Sequence, residues 1–142
     1  MHALEIGNYL KKKTEVKRNT QQRQLIAECV HILKHPTAED IWLCVSKKLP
    51  NVNKTTIYRN LKRMVEEGEL MSFVAGEGAR HFDSTLDRHY HLYCEKCGEI
   101  TDTRAELLDQ ITKTVQDNEQ FQIEGQKLIF SGICSKCQKK GV

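Results

Sequence analysis

Within the ten residues from His89 to Gly98 the chain places two imidazoles, His89-Tyr90-His91, and two thiols, Cys94-Glu95-Lys96-Cys97. A second Cys-x-x-Cys follows near the C-terminal end, Cys134-Ser135-Lys136-Cys137. Two such knuckles supply four thiolates, the ligand set of a closed tetrahedral zinc site; a disulfide pair or buried thiols are the competing readings. If Arg88 to Cys94 is a strand, side chains alternate faces, so His89 and His91 point the same way, about 7 Å apart at Cα. That arrangement suits two imidazoles converging on one ion, and the plainer alternative is a pair of half-exposed strand histidines.

The elements that must position these groups belong to a chain of 142 residues, enough for one domain or two small ones with modest cores. A structural metal would offset the small core. No run of about 18 apolar residues exists, so no membrane partner is expected, and the lysine-rich start lacks the apolar stretch and cleavage site of a secretory signal. A cytoplasmic protein is expected, and in a reducing compartment knuckle-spaced cysteines favour zinc over disulfides. Cys29 and Cys44 fall within amphipathic helical patterns and read as core residues. The overall charge of +3 conceals an asymmetry: residues 1–63 hold 13 Lys/Arg and 5 Asp/Glu, residues 64–142 hold 9 and 14. The front of the chain is the part suited to a polyanion.

Along that front half, Ala3 to Lys13 reads as a short helix, followed by the basic run Lys11, Lys12, Lys13, Lys17 and Arg18, either a solvated surface or a phosphate contact. A helix from Thr20 carries Leu25, Ile26, Cys29, Val30 and Leu33 on one face and ends at His35-Pro36. Thr37 caps the next, with Ile41, Trp42, Cys44, Val45 and Leu49 as its apolar side and Pro50 closing it. Asn53 caps a fourth, Lys54 to Glu67, ended by Gly68. Its inner stripe is Ile57, Leu61, Met64 and Val65. Lys54, Thr55, Tyr58, Arg59 and Lys62 lie on another face: either an ordinary basic surface or donors, a cation fork and an aromatic for phosphates and base edges. Arg23, on the helix from Thr20, is counted with them as a DNA contact. Strands at Leu70–Val74 and Ala79–Asp83 around Gly76-Glu77-Gly78 complete a winged helix-turn-helix pattern, with the helix from Lys54 as its recognition helix.

The polar connection Ser84–Arg88 is the expected hinge between a DNA-binding domain, residues 1–83, and a second domain, residues 89–142. After the His-x-His strand and first knuckle come a strand at Glu99–Thr103, a helix at Arg104–Asn118 with Leu107, Leu108, Ile111 and Val115 on one side, and strands at Phe121–Glu124 and Lys127–Ile133 around Gly125. The last residues, from Gln138, read as loose. The class is α+β. The strand edges and helix face of this small unit are only partly covered by its own residues, so a homodimer is expected.

Taken together, His35-Pro36-Thr37-Ala38-Glu39-Asp40-Ile41, Thr56-Ile57-Tyr58-Arg59-Asn60-Leu61, His81-Phe82-Asp83, His89-Tyr90-His91 and the two cysteine pairs, in that order, resemble the ferric uptake regulator family of metal-dependent transcriptional repressors. The resemblance covers nearly the whole chain. It implies an N-terminal winged helix, a hinge and a C-terminal dimerisation domain, with the dimer binding a palindromic double-stranded DNA operator. It also implies structural zinc on Cys94, Cys97, Cys134 and Cys137, and a regulatory metal on His35, Asp83, His89, His91 and Asp102. The second set contains no thiolate and so suits Fe(II) or Mn(II).

Within the family, His-Tyr-His at 89–91, Asp at 102 and the lack of any histidine after His91 resemble the peroxide-responsive branch. There, regulatory iron reacts with hydrogen peroxide and a ligand histidine is oxidised, releasing DNA; His35 and His91 match the histidines so modified. Manganese would hold the repressor closed without that chemistry. One departure is His81, where the family usually has Arg; sharing a strand face with Asp83, it either enters the site or is a plain strand histidine. His2 and His31 match no role. Rival readings are an iron- or zinc-responsive regulator of the same family, a metallohydrolase, and a zinc-ribbon interaction module. The hydrolase lacks a positioned acid or base in the sequence and leaves the basic front half unexplained.

Overall fold

The computed structural model describes residues 20–86, 89–103, 108–124 and 128–140. The helix expected at Ala3–Lys13, the basic run at 11–18, the end of the hinge at 87–88, the start of the helix at 104–107 and the turn at Gly125 lie outside those residues. The described chain divides into two compact units. One comprises the residues up to Ser72 with Arg80–Leu86, the other Phe73–Ala79 with the residues from His89 onward.

In the first unit, α1 (20–33) buries Ile26 and Val30 completely and Cys29 nearly so. Leu33, expected on the same face, is 42% exposed, because the helix is ending there: Lys34 takes φ 69°, and its N–H reaches back to the Val30 carbonyl. Thr37 then caps α2 (Ala38–Ser46) in a reciprocal box, its side chain accepting from the Asp40 N–H while the Asp40 carboxylate accepts from the Thr37 N–H. The helix stops at Ser46, short of Leu49. Ser46 Oγ donates to the Trp42 carbonyl at 2.6 Å, a back-bond that competes with the helical ladder. Leu49 still packs against the core from the turn that follows.

Asn53 Oδ1 accepts from the Thr55 N–H at 2.8 Å and starts α3 (Lys54–Glu66). Ile57, Leu61 and Met64 are fully buried against Ile26, Val30, Ile41 and Val45, with Leu70 and Phe82 closing the cluster. At about 1.5–3 kcal/mol per buried aliphatic side chain, this cluster holds the three helices together. Asn60 joins the buried face, a position the apolar stripe alone does not mark. Its Nδ2 donates to Gln22 Oε1 of α1 at 3.1 Å, so its burial leaves that donor satisfied. Cys29 and Cys44 do lie in this core, but as a disulfide rather than as two thiols, with Cα atoms 6.1 Å apart. Periodicity says which face a residue occupies; it does not say which residue of the next helix it meets.

The hairpin of β1 (Met71–Ala75) and β2 (Ala79–Asp83) follows α3. In the first unit, β2 runs back to the corner between α1 and α2. The Phe82 N–H donates to the Pro36 carbonyl at 2.9 Å, and Thr37 and His81 form an antiparallel bridge.

The second unit is built on a sheet of order β4-β3-β5, from β3 (Tyr90–Cys94), β4 (Ile100–Thr103) and β5 (Ile129–Gly132), with α4 (Leu108–Glu119) and the short α5 (Ser135–Lys139). β4 pairs antiparallel with β3, as the knuckle between them requires, and β5 pairs with β3 in parallel. Two expectations fail here. Phe121–Glu124 is not a strand: Phe121 is 66% exposed and β5 pairs with β3 instead. Gln138 and Lys139 are not loose but belong to α5.

Candidate metal centres and nucleic-acid interface

The thiol cluster follows from strand order. β3 ends at Cys94, and Gly98, at φ 74°, turns the chain back so that its N–H meets the Cys94 carbonyl at 2.8 Å; Cys97 lies within that turn. In the parallel register Cys94 stands beside Gly132, so β5 delivers Cys134 two residues later and α5 delivers Cys137. The Sγ atoms of Cys94 and Cys137 are 3.8 Å apart, as are those of Cys97 and Cys134. Four sulfurs about 2.3 Å from one central ion at tetrahedral angles stand about 3.8 Å from each other, so the cluster has the dimensions of a structural zinc site.

The backbone prepares the charge. N–H groups of Cys134 and Cys97, 3.3 and 3.5 Å from Cys94 Sγ, bring that thiol down to about 6. Cys137 is pushed up to about 12 by its contact with Cys134 and by burial. For Cys97 the Glu99 N–H lowers the value, but Cys94, burial and Cys134 together leave it raised. A divalent cation resolves this conflict by stabilising all four as thiolates.

Each unit brings imidazoles and carboxylates close together. In the second unit, His89 and His91 bring their Nε2 atoms to 3.1 Å, and Asp102 Oδ1 lies 3.5 Å from the first and 3.4 Å from the second. Asp102 is there because β4 pairs it directly opposite His91. Ligand atoms held about 2.1 Å from one ion at octahedral to tetrahedral angles are about 3.0–3.4 Å apart, and this triangle fits that spacing. His91 also stacks on Phe73, ring centroids 3.8 Å apart and planes 18° from parallel, which fixes the ring's rotation. Nothing in the sequence around Phe73 marks it for this role, because its partner lies on a strand 18 residues away.

In the first unit, His35 Nε2 and Asp83 Oδ2 are 3.5 Å apart, with both side chains almost wholly buried. The Thr85 N–H donates to Asp83 Oδ1 at 2.9 Å. His81 Nδ1 lies 2.8 Å from the His35 carbonyl. A carbonyl only accepts, so that nitrogen carries the proton, and His81 braces the backbone of His35.

On α3 the residues expected to meet DNA, Lys54, Thr55, Tyr58, Arg59 and Lys62, are all exposed. Lys54 lies 4.8 Å above the Trp42 ring and 3.6 Å from Glu39, so part of its charge is spent on α2. Arg23 is engaged by Glu67 at 2.9 Å and Glu69 at 3.5 Å; the hydrogen bond to Glu67 raises its pKa further and lowers that of Glu67. Its guanidinium is committed to the end of α3, which sequence position could not reveal.

The model of the ferric uptake regulator family matches residues 13–131. The peroxide-responsive repressor PerR of Staphylococcus epidermidis is 30% identical over 99% of this chain and 93% of its own length. The peroxide operon regulator of Bacillus subtilis is 32% identical over 91% of this chain and 89% of its own. Among solved structures, the Campylobacter jejuni peroxide stress regulator superposes with a TM-score of 0.78 over 96% of this chain and 100% of its own, at 23% identity. The Helicobacter pylori ferric uptake regulator, described as having three functional metal-binding sites, gives 0.74 over 97% and 96%, at 18% identity. With a tetrathiolate of zinc dimensions, imidazoles and carboxylates at metal-ligand spacing, three packed helices followed by a β-hairpin, and a family match along most of its length, the chain belongs to the ferric uptake regulator family.

Proposed function

We propose that this chain is a DNA-binding repressor that lets go of its operator when hydrogen peroxide oxidises a histidine ligand of its regulatory metal. The observation that carries the reading is the triangle of His89, His91 and Asp102: nitrogen and oxygen donors only, 3.1–3.5 Å apart, in a chain whose thiols are gathered elsewhere. Such donors suit Fe(II) or Mn(II), while the Cys94, Cys97, Cys134 and Cys137 cluster keeps zinc for structure. His35 and Asp83 offer the same donor types, and in this reading they complete the set. One ion then draws ligands from the DNA-binding residues 1–83 and the dimerisation residues 89–142, and the hinge at 84–88 loses its freedom. A near-complete swing to the DNA-competent form requires the ion to favour it by about 5.5 kcal/mol.

Iron(II), when held by these residues, would lend the electrons that split the O–O bond of peroxide and regain them from the histidine ring, chemistry that manganese(II) would not supply. The chain's part is to hold His35 and His91 where the oxygen is released. A ring carbon forms a C–O bond in place of its C–H, and the second peroxide oxygen leaves as water. The altered ring is a poorer ligand, so affinity for the ion falls and the hinge is freed. Phe73 covers one face of His91 and limits how that ring turns.

For DNA, the reading places α3 of each subunit in successive major grooves of a palindrome, with Tyr58 and Arg59 at its centre. A homodimer is supported by apolar side chains that the described chain leaves open: Ile111 is 56% exposed, Val115 41%, Phe130 46% and Leu92 41%. Such a repressor is not an enzyme, acts in the cytoplasm and has no membrane partner. The deciding experiment compares iron-loaded and manganese-loaded protein after a brief peroxide dose, by peptide mass spectrometry and operator binding. One added oxygen on His35 or His91 with loss of DNA, in the iron form alone, is the expected result. Unchanged peptides and unchanged DNA binding with iron loaded would instead make the chain an iron- or zinc-responsive uptake regulator.

A further inference from the structure

The six cysteines fall into two sets, the quartet of the second unit and the bonded pair Cys29–Cys44 in the first. Among the described residues the pair joins no cluster of three or more His, Cys, Asp or Glu, so a metal does not account for it. Cys29 lies on α1 between the fully buried Ile26 and Val30, and Cys44 lies on α2 between the fully buried Ile41 and Val45. The two helices therefore present their cysteines to each other at matching places in one core layer. The Cα separation of 6.1 Å is within the range a disulfide spans without moving either backbone.

The residues between the two cysteines include the corner from Lys34 to Thr37, and hence His35. We propose that Cys29 and Cys44 are a second oxidant-responsive site, a dithiol that hydrogen peroxide closes into a disulfide. The bond staples α1 to α2 and confines the corner carrying His35, without unmaking the helical unit.

Cys29 is only 6% exposed, whereas Cys44 is half-buried and is the sulfur an oxidant reaches first. Its thiolate takes one peroxide oxygen, the O–O bond breaks, and water leaves once the proton is returned. The Cys29 sulfur then displaces the sulfenic hydroxyl as a second water and the S–S bond forms. In sum, two thiols and one hydrogen peroxide give one disulfide and two waters. A small thiol reverses it by exchange at the Cys44 sulfur. The cap at Thr37, the buried layer and α3 are all in place with the bond closed, so oxidation here is compatible with an intact unit.

The test uses the full chain, zinc-replete, loaded with manganese so that iron chemistry at histidine plays no part. The protein is reduced, freed of reductant, dosed with peroxide and alkylated under denaturing conditions. A peptide linking Cys29 to Cys44 is expected, removed by dithiothreitol, with zinc content unchanged. Amide exchange at Lys34 and His35, whose N–H groups are held by the Val30 and Leu33 carbonyls, is expected to slow severalfold in the oxidised form. A Cys44→Ser variant should show neither change. The proposal is overturned if both thiols stay fully alkylatable while the zinc cysteines oxidise, or if the bond forms and exchange at the corner speeds up. These readouts on wild-type protein do not depend on the variant folding, nor on whether histidine oxidation governs DNA release.

Discussion

Replacing Gly76 by alanine tests the contact between the hairpin turn and β3, the strand that carries both His91 and Cys94. Gly76 has φ +66°, a conformation that costs an L-residue about 1–2 kcal/mol. A Cβ at this position would also meet Tyr93, at 2.7 Å from Oη and 3.0 Å from Cζ. Ordinary contact begins at 3.4 Å, so the ring must withdraw, and overpacking of this kind costs about 1–3 kcal/mol. Gly98 supplies the control: at φ +74° a Cβ there meets nothing within 4 Å, so Gly98→Ala carries the backbone cost alone. Urea unfolding of zinc-replete protein should therefore show Gly76→Ala at about 2–4 kcal/mol and Gly98→Ala at about 1–2. Removing the hydroxyl with Tyr93→Phe takes away the closest atom, and in that background more than half of the difference between the two glycines should vanish. Equal losses at Gly76 and Gly98, or a difference untouched by Tyr93→Phe, would refute the close approach.

Three further outcomes are expected. Asp102→Ala, at a side chain 45% exposed, should weaken manganese binding by about tenfold or more while leaving zinc at the cysteine quartet, as measured by metal titration beside elemental analysis; co-loss of zinc would mean the two centres are not separate. Ile57→Ala, at a position 0% exposed in the centre of the three helices, should cost about 2–5 kcal/mol of stability by denaturant unfolding, and a loss below 1 would show the core is not packed there. Zinc uptake by apo-protein at pH 7 should release protons, because Cys97 is raised and Cys137 pushed up to about 12, but fewer than four per ion, because Cys94 at about 6 is already mostly thiolate. Affinity should accordingly fall as pH drops, more steeply once it passes about 6 and Cys94 also binds its proton. Calorimetry in buffers of different ionisation enthalpy reads the proton count, and a pH-independent affinity would contradict the assignment.

The sequence by itself determined the local chemistry. The knuckle spacing at Cys94 and Cys97, repeated at Cys134 and Cys137, states a ligand set because turn geometry is local. Thr37 with Asp40, Asn53 and Gly68 bound their helices within a residue or two of where they stand, since caps act on the nearest N–H groups and on the chain's own φ. The burial of Ile26, Ile41, Ile57 and Leu61 was written in helical period. Only the tertiary structure decided which distant residues meet. It paired β5 in parallel with β3 rather than with 121–124, joined Cys29 to Cys44, stacked Phe73 on His91, and committed Arg23 to Glu67 and Glu69. The physical reason is range: period, cap and turn are set by neighbours a few residues apart, whereas pairing across elements is chosen by the packing of the whole unit, and each such contact leaves no mark on the residues beside it.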